Sequence, residues 1–238
     1  MHDTARPEVT MNDTSNGISR ERARAPIARR LARVVAGALL AAATIAVTAS
    51  AGTVACGICG KNLIKNPGAD AGLGITSVDA SGAVPGWTNV AGQFGAASYT
   101  FPNGWFATAS KGPKAKGKNY FFGGTTRVAV DAPATIGKQT IALPAAAVGK
   151  KATLSGWLGN YGKNTSQVRA EFADASGKIL SRIRIGPDTT VSGTDMSARS
   201  RSGTVPAGAK QVTIVVTFAG GGANYKLAGA DALSLVLS

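Results

Sequence analysis

The sequence predicts an all-β fold, a two-sheet antiparallel jelly-roll sandwich behind an N-terminal signal peptide. Three observations carry this expectation. Short segments alternate apolar and polar residues with a period of two, turn formers separate them at short intervals, and the first fifty residues differ in composition from the rest.

The alternation is clearest in Gln211 to Phe218, where Val212, Ile214, Val216 and Phe218 fall on one face. In Gln167 to Ala173, Val168, Ala170 and Phe172 share a face while Arg169 and Glu171 point the other way, and Leu233, Leu235 and Leu237 repeat the pattern opposite Ser234 and Ser238. Such segments are strands buried on one side. Candidate strands fall near 62–66, 93–99, 119–122, 126–131, 138–143, 151–158, 167–173, 179–185, 197–204, 211–218 and 230–237. Asp174-Ala175-Ser176-Gly177 reads as a hairpin connection, and Gly186-Pro187-Asp188, Pro206-Ala207-Gly208 and Gly220-Gly221-Gly222 mark further turns. About ten short strands at this spacing point to a sandwich. The absence of a fixed repeat argues against a propeller or solenoid.

At the N-terminus Arg20, Arg22, Arg24, Arg29, Arg30 and Arg33 form a basic run, followed by the uncharged stretch from Val34 to Val47 and then by Ala49-Ser50-Ala51. Basic, apolar and small segments in this order are a secretory signal with a cleavage site. The apolar stretch is short of the roughly 18 residues that span a bilayer. Residues 1–51 are therefore expected to be a signal peptide, 52–61 a short linker and 62–238 the binding domain, and the protein to be secreted by a bacterium. Arg29-Arg30 leaves both the Sec and the twin-arginine routes open, and translation could start at Met1 or Met11. Cys56 and Cys59 in the linker most simply form a local disulfide in an oxidising compartment. Lipid anchoring at Cys56 is the alternative, since Thr53-Val54-Ala55-Cys56 loosely resembles a lipobox.

Past residue 51 the chain carries nineteen Lys and Arg against eight Asp and Glu, a charge of about +11. The sharpest local excess is Lys111, Lys114, Lys116 and Lys118. It reads either as a solvated loop or as an anion contact for an acidic polymer or a membrane surface, with nucleic acid unlikely for an exported chain. The single histidine, His2, lies in the signal region, which removes triad chemistry and the usual zinc sites from the domain. Glu171 is the only glutamate after Glu21, so a facing carboxylate pair of the glycosidase kind would need one of the aspartates as its partner. The domain is expected not to be an enzyme, and its mature part to contain no transmembrane segment.

What remains is a set of aromatic residues among Gly and Asn: Trp87, Trp105, Tyr120, and Trp157 with Tyr161. A ring beside polar side chains suits the apolar C–H face and hydroxyl rim of a sugar. Each ring could equally fill the core. Trp157 is the strongest candidate, because alternation puts Leu154 and Leu158 on one face and Trp157 on the other.

Four segments together resemble a known family. Asn62-Leu63-Ile64-Lys65-Asn66-Pro67-Gly68-Ala69-Asp70, Val84-Pro85-Gly86-Trp87, Leu154-Ser155-Gly156-Trp157 and Ala230-Asp231-Ala232-Leu233-Ser234-Leu235 are similar to galactose-binding-like jelly-roll domains. The resemblance is to the carbohydrate-binding modules of secreted bacterial cellulases and xylanases. It implies a non-catalytic protein that binds a poly- or oligosaccharide or a cell-wall glycan. It also implies a structural Ca²⁺ held by Asp70 and Asp231, although an aspartate capping a turn and a solvated one are the alternative reading of that pair. A structural or adhesive surface protein that contacts an anionic polymer or another protein is the competing functional expectation.

Overall fold

The computed structural model describes residues 55–75, 82–101, 106–124, 132–189, 193–221 and 226–238. The expected signal peptide, Trp105 and the candidate strand at 126–131 lie outside them. Among the described residues the chain forms ten strands: β1 (Thr88–Ala91), β2 (Gly95–Ser98), β3 (Asn119–Phe122), β4 (Ala134–Ala142), β5 (Lys151–Asn160), β6 (Asn164–Ala173), β7 (Ile179–Asp188), β8 (Met196–Thr204), β9 (Gln211–Gly220) and β10 (Ala228–Leu237). They build two five-stranded antiparallel sheets, one ordered β1-β4-β9-β6-β7 and the other β2-β3-β10-β5-β8. This is the expected two-sheet sandwich.

Alternation decides which side chains enter the space between the sheets. Val168, Ala170 and Phe172 of β6, Val212, Ile214, Val216 and Phe218 of β9, Leu154 and Leu158 of β5, and Leu233, Leu235 and Leu237 of β10 are all buried there. The β6–β7 hairpin turns where expected, because the Asp174 carboxylate accepts hydrogen bonds from the amides of Ser176 and Lys178 and from the Ser176 hydroxyl. These bonds hold its pKa below the usual carboxylate value, the Ser176 side chain contributing most.

The candidate strand at 62–66 is reduced to a bridge between Asn62 and Val236. Asn66-Pro67-Gly68 turns the chain away, so side-chain bonds replace much of the ladder: the Asn62 amide donates to Leu233 O at 2.9 Å and accepts from the Leu235 amide at 3.0 Å. The Cys segment, expected as a linker, is drawn in as well. Gly60 N donates to Leu237 O, and Ile58 and Cys59 pack against the core. Cys56 and Cys59 are joined by a disulfide.

A second apolar cluster lies on the outer face of the β2-β3-β10-β5-β8 sheet. It holds Ile75, Ala97, Tyr99, Phe106, Tyr120, Phe122 and Met196, with Trp157 and Leu227 packed against it. All four residues of β3 are buried, with Phe121 in the main core and Tyr120 and Phe122 in the outer cluster. A strand covered on both faces reads as a continuous apolar run, as Tyr120-Phe121-Phe122 does.

Candidate functional site

The outer face of the β2-β3-β10-β5-β8 sheet is half covered and half open. Register places Gly229, Gly159 and Met196 in one row and Asp231, Trp157 and Ala198 in the next. Ser155 and Ser200, then Thr153 and Ser202, follow in further rows. The Phe106 ring lies against Gly159 and Gly229, where a Cβ would leave it no room. The cover includes Phe106 and ends beside Trp157. That ring is half-buried: it packs against the outer cluster and also lines a depression of ≈ 320 Å³ with Ser155, Arg199, Ser200 and Ala232. An aromatic face and two hydroxyls around one shallow space are groups that hold a sugar ring.

The other candidate rings are placed differently. Tyr161 is 47% exposed at the end of β5, but it does not extend the Trp157 surface. Four strand residues separate the two by roughly 13 Å, and Phe106 over Gly159 stands between them. Trp87 closes the edge of the main core. Pro85 and Gly86, with Gly86 at φ 84°, make the tight turn that brings Trp87 N to Val84 O. The indole then packs edge-on to Phe121 at 4.8 Å and donates to Lys65 O at 3.1 Å. Tyr120 is wholly buried and presents no surface to a ligand. Its outward position on β3 is the one the outer cluster covers.

Asp70 and Asp231 are brought together from opposite ends of the domain. An oxygen of each carboxylate lies near the point where a Cβ on Gly68 would stand, at 3.0 Å for Asp70 and 2.9 Å for Asp231. Asp231 sits at a bulge in β10, with Ala232 at φ 48°, a device that re-aims a side chain. It accepts hydrogen bonds from the Tyr99 hydroxyl at 2.7 Å and from the Ala232 amide at 2.6 Å. Asp70 accepts from the amides of Lys118 and Asn119. Burial raises the pKa of Asp231 to about 6, the hydrogen bonds from Tyr99 and Ala232 oppose that rise, and the like charge of Asp70 adds to it. Burial, followed by the charge of Asp231, pushes the Tyr99 phenol far up. Two facing carboxylates with no Cβ between them fit an oxygen-liganded cation such as Ca²⁺. Among the described residues no third acidic, histidine or cysteine side chain joins them, so further ligands would be backbone or hydroxyl oxygens.

The four lysines separate into two kinds. Lys111, Lys114 and Lys118 are exposed. Lys116 is turned inward: its ammonium donates to the carbonyls of Thr108 and Ser110 and lies 5.7 Å over the Tyr99 ring. It is therefore committed within the domain rather than offered to an anion. With Asp70, Ser98, Tyr99, Thr108 and Lys118 it lines a cleft of ≈ 720 Å³. The tyrosine and the inward turn of the lysine were not legible in the sequence, because Tyr99 reaches Asp231, and Lys116 reaches the Tyr99 ring, only through the tertiary fold.

No protein-family model and no curated relative matches the chain. Among solved structures it is similar to the enzymatically active domain of tailspike protein 4 of bacteriophage CBA120, at 16% identity and a TM-score of 0.50, over 74% of this chain and 21% of that one. The chain thus spans about a fifth of the length of that tailspike domain. It is also similar to TmCBM61 in complex with β-1,4-galactotriose (16% identity, TM-score 0.42, 75% of this chain and 99% of that one). A third similar structure is the CBM22-1 xylan-binding domain of Paenibacillus barcinonensis Xyn10C (11% identity, TM-score 0.41, 68% and 90%). At these identities the likeness shows the fold alone: the chain is an all-β, two-sheet antiparallel jelly-roll sandwich.

Proposed function

We propose that this is a secreted, non-catalytic carbohydrate-binding-module-like protein whose sugar stacks on Trp157. The observation that carries the reading is the partly exposed Trp157 at the edge of the outer cluster, beside the hydroxyls of Ser155 and Ser200. The solved structures in complex with galactotriose or named for xylan binding agree with it in kind. The non-catalytic part of the proposal rests on the acidic groups. Glu171 is held by Arg169 and Arg182, and Asp188 is buried in an ion pair with Arg199. Neither faces a second carboxylate, and the facing pair Asp70 and Asp231 is occupied by hydrogen bonds from the Tyr99 hydroxyl and the Ala232, Lys118 and Asn119 amides.

A glycan array at low and moderate salt tests the proposal. Saturable binding of a neutral oligosaccharide that persists in salt is the expected result, because stacking and neutral hydrogen bonds are not screened. Binding confined to acidic polymers and abolished by salt would overturn it.

The proposal includes a structural Ca²⁺ between Asp70 and Asp231. Since Asp231 pairs with Trp157 across the β10–β5 ladder, the cation would brace the strand next to the stacking ring. Adding Ca²⁺ to chelator-treated protein should raise the melting temperature. At a hundredfold excess over the dissociation constant the gain is about 2.7 kcal/mol. Asp231→Ala and Asp70→Ala should each melt at a temperature that Ca²⁺ does not move. A wild-type protein indifferent to Ca²⁺ would refute the site.

A further inference from the structure

The outer face of the other sheet carries a row of cations. Register aligns Thr88, Lys138, Val215, Arg169 and Arg184 across all five strands, β1-β4-β9-β6-β7. The row is roughly 19 Å from end to end at the usual strand spacing. The adjacent row is Thr140, Thr213, Glu171 and Arg182. All of these lie on the side of the sheet opposite the main core, since their neighbours Val168, Ala170, Ile183, Ile185, Ile214 and Val216 fill that core, although Val215 at the middle of the row is itself buried. The face therefore presents four cations against the one carboxylate of Glu171.

Glu171 is more than a partial neutraliser. Its side chain is only 14% exposed, and one of its oxygens accepts from Nε of Arg169 at 3.2 Å and from Nε of Arg182 at 3.1 Å. Arg169 is further fixed by its Nη1 donating to Gln167 at 3.0 Å. Both guanidinium groups are thus held through part of their hydrogen-bonding edge. The terminal nitrogens of Arg182, on a side chain 55% exposed, have no partner among the described residues, and Arg184 and Lys138 form no ion pair there. A guanidinium pre-oriented in this way matches a carboxylate or sulfate oxygen pair with less ordering cost than a free one. At its other end the row opens into a groove of ≈ 580 Å³ lined by Lys65, Thr88, Lys138 and Thr140.

We propose that this face is a second binding site, for an acidic polysaccharide whose carboxylate or sulfate groups bridge Lys138, Arg169, Arg182 and Arg184. Charge complementarity selects the occupant. A second copy of this chain, with about +11 beyond residue 51, would be repelled by the same charges. The threonines along both rows supply hydroxyl partners for a glycan's own hydroxyls, and the flat face offers no described aromatic ring on which a nucleobase would stack. The site is on the opposite sheet from Trp157, so the proposal stands or falls separately from the neutral-sugar reading.

The test is titration calorimetry of the domain with polygalacturonate, dextran sulfate, neutral dextran and a single-stranded oligonucleotide, each at two salt concentrations. Binding of polygalacturonate or dextran sulfate, but not dextran, is expected, and the preferred polymer identifies the anion. Arg182→Ala/Arg184→Ala should weaken that binding about tenfold or more and flatten its salt dependence. The charge-matched Lys150→Ala/Lys151→Ala, changed at exposed positions beside and on the other sheet, should leave binding as it is. Melting curves confirm that both variants are folded. Equal losses in the two variants, equally tight binding of the oligonucleotide, or no binding of either acidic polymer would each overturn the proposal.

Discussion

Trp157→Ala should abolish neutral-glycan binding while costing the fold less than the loss of a fully buried ring. The ring contributes to both binding and packing, and its position sets the balance. One side packs against the outer cluster of Tyr99, Phe106, Tyr120 and Met196, and the other borders the depression with Ser155 and Ser200. Removing a fully buried Trp costs on the order of 3–5 kcal/mol, and a partly buried one loses correspondingly less, about 2–3 kcal/mol. The binding loss should be larger than that fraction suggests, since a truncated aromatic anchor typically costs 2 kcal/mol or more, roughly a thirtyfold change in Kd. Trp157→Phe keeps a flat apolar face and should retain part of the affinity. Calorimetry and thermal melts on the same preparations decide the matter. A stability loss of the fully buried size with binding intact would show that Trp157 is a core residue and move the sugar elsewhere.

The long strands were legible because alternation and burial are the same fact seen twice: Val212, Ile214, Val216 and Phe218 share a face in the sequence and fill the core in the structure. Trp157 was placed on the correct face by the same rule. β1 was missed, since Thr88-Asn89-Val90-Ala91 is short, mostly exposed and lacks an apolar side. The aromatic candidates were only partly legible. Period two gives the face of a residue but not what covers that face, so Tyr120 could not be told from a ligand ring until the chain between β2 and β3 was seen lying over the sheet. Trp87 needed its turn and Lys65 O to explain its inward packing. The pairing of Asp70 with Asp231 was implied by resemblance, whereas the Tyr99 hydroxyl on Asp231 is a tertiary contact with no local signal. For Glu171, alternation showed that it shares a face with Arg169. Adding Arg182 to the cluster required the hairpin register, which the Asp174–Gly177 turn sets.

Tyr120→Ala should be the most destabilising single change of the candidate aromatic residues. Tyr120 is fully buried on the outer face of β3, with the rings of Tyr99 at 4.9 Å, Phe106 at 5.2 Å and Phe122 at 6.1 Å. The backbone of β10 also approaches closely, because a Cβ on Gly229 would stand 3.2 Å from the Tyr120 ring. Three rings and a strand surround the side chain, so its removal leaves a cavity they cannot readily close. The expected cost is about 3–5 kcal/mol, a large share of the 5–15 kcal/mol that holds a typical domain together. Tyr120→Phe separates the ring from the hydroxyl. Burial pushes the phenol pKa upward, the Phe106 amide offsets this only partly, and the oxygen makes no hydrogen bond of good geometry. Losing the hydroxyl should therefore change stability by less than about 1 kcal/mol. Denaturant unfolding of the two variants measures both effects. If Tyr120→Ala kept nearly wild-type stability and lost glycan binding, the ring would be a ligand residue and the outer cluster would not be the cover described. If it unfolds readily while Tyr120→Phe does not, the cluster is a second core, and it sets the position of Tyr99, hence of Asp231 and of Trp157 beside it.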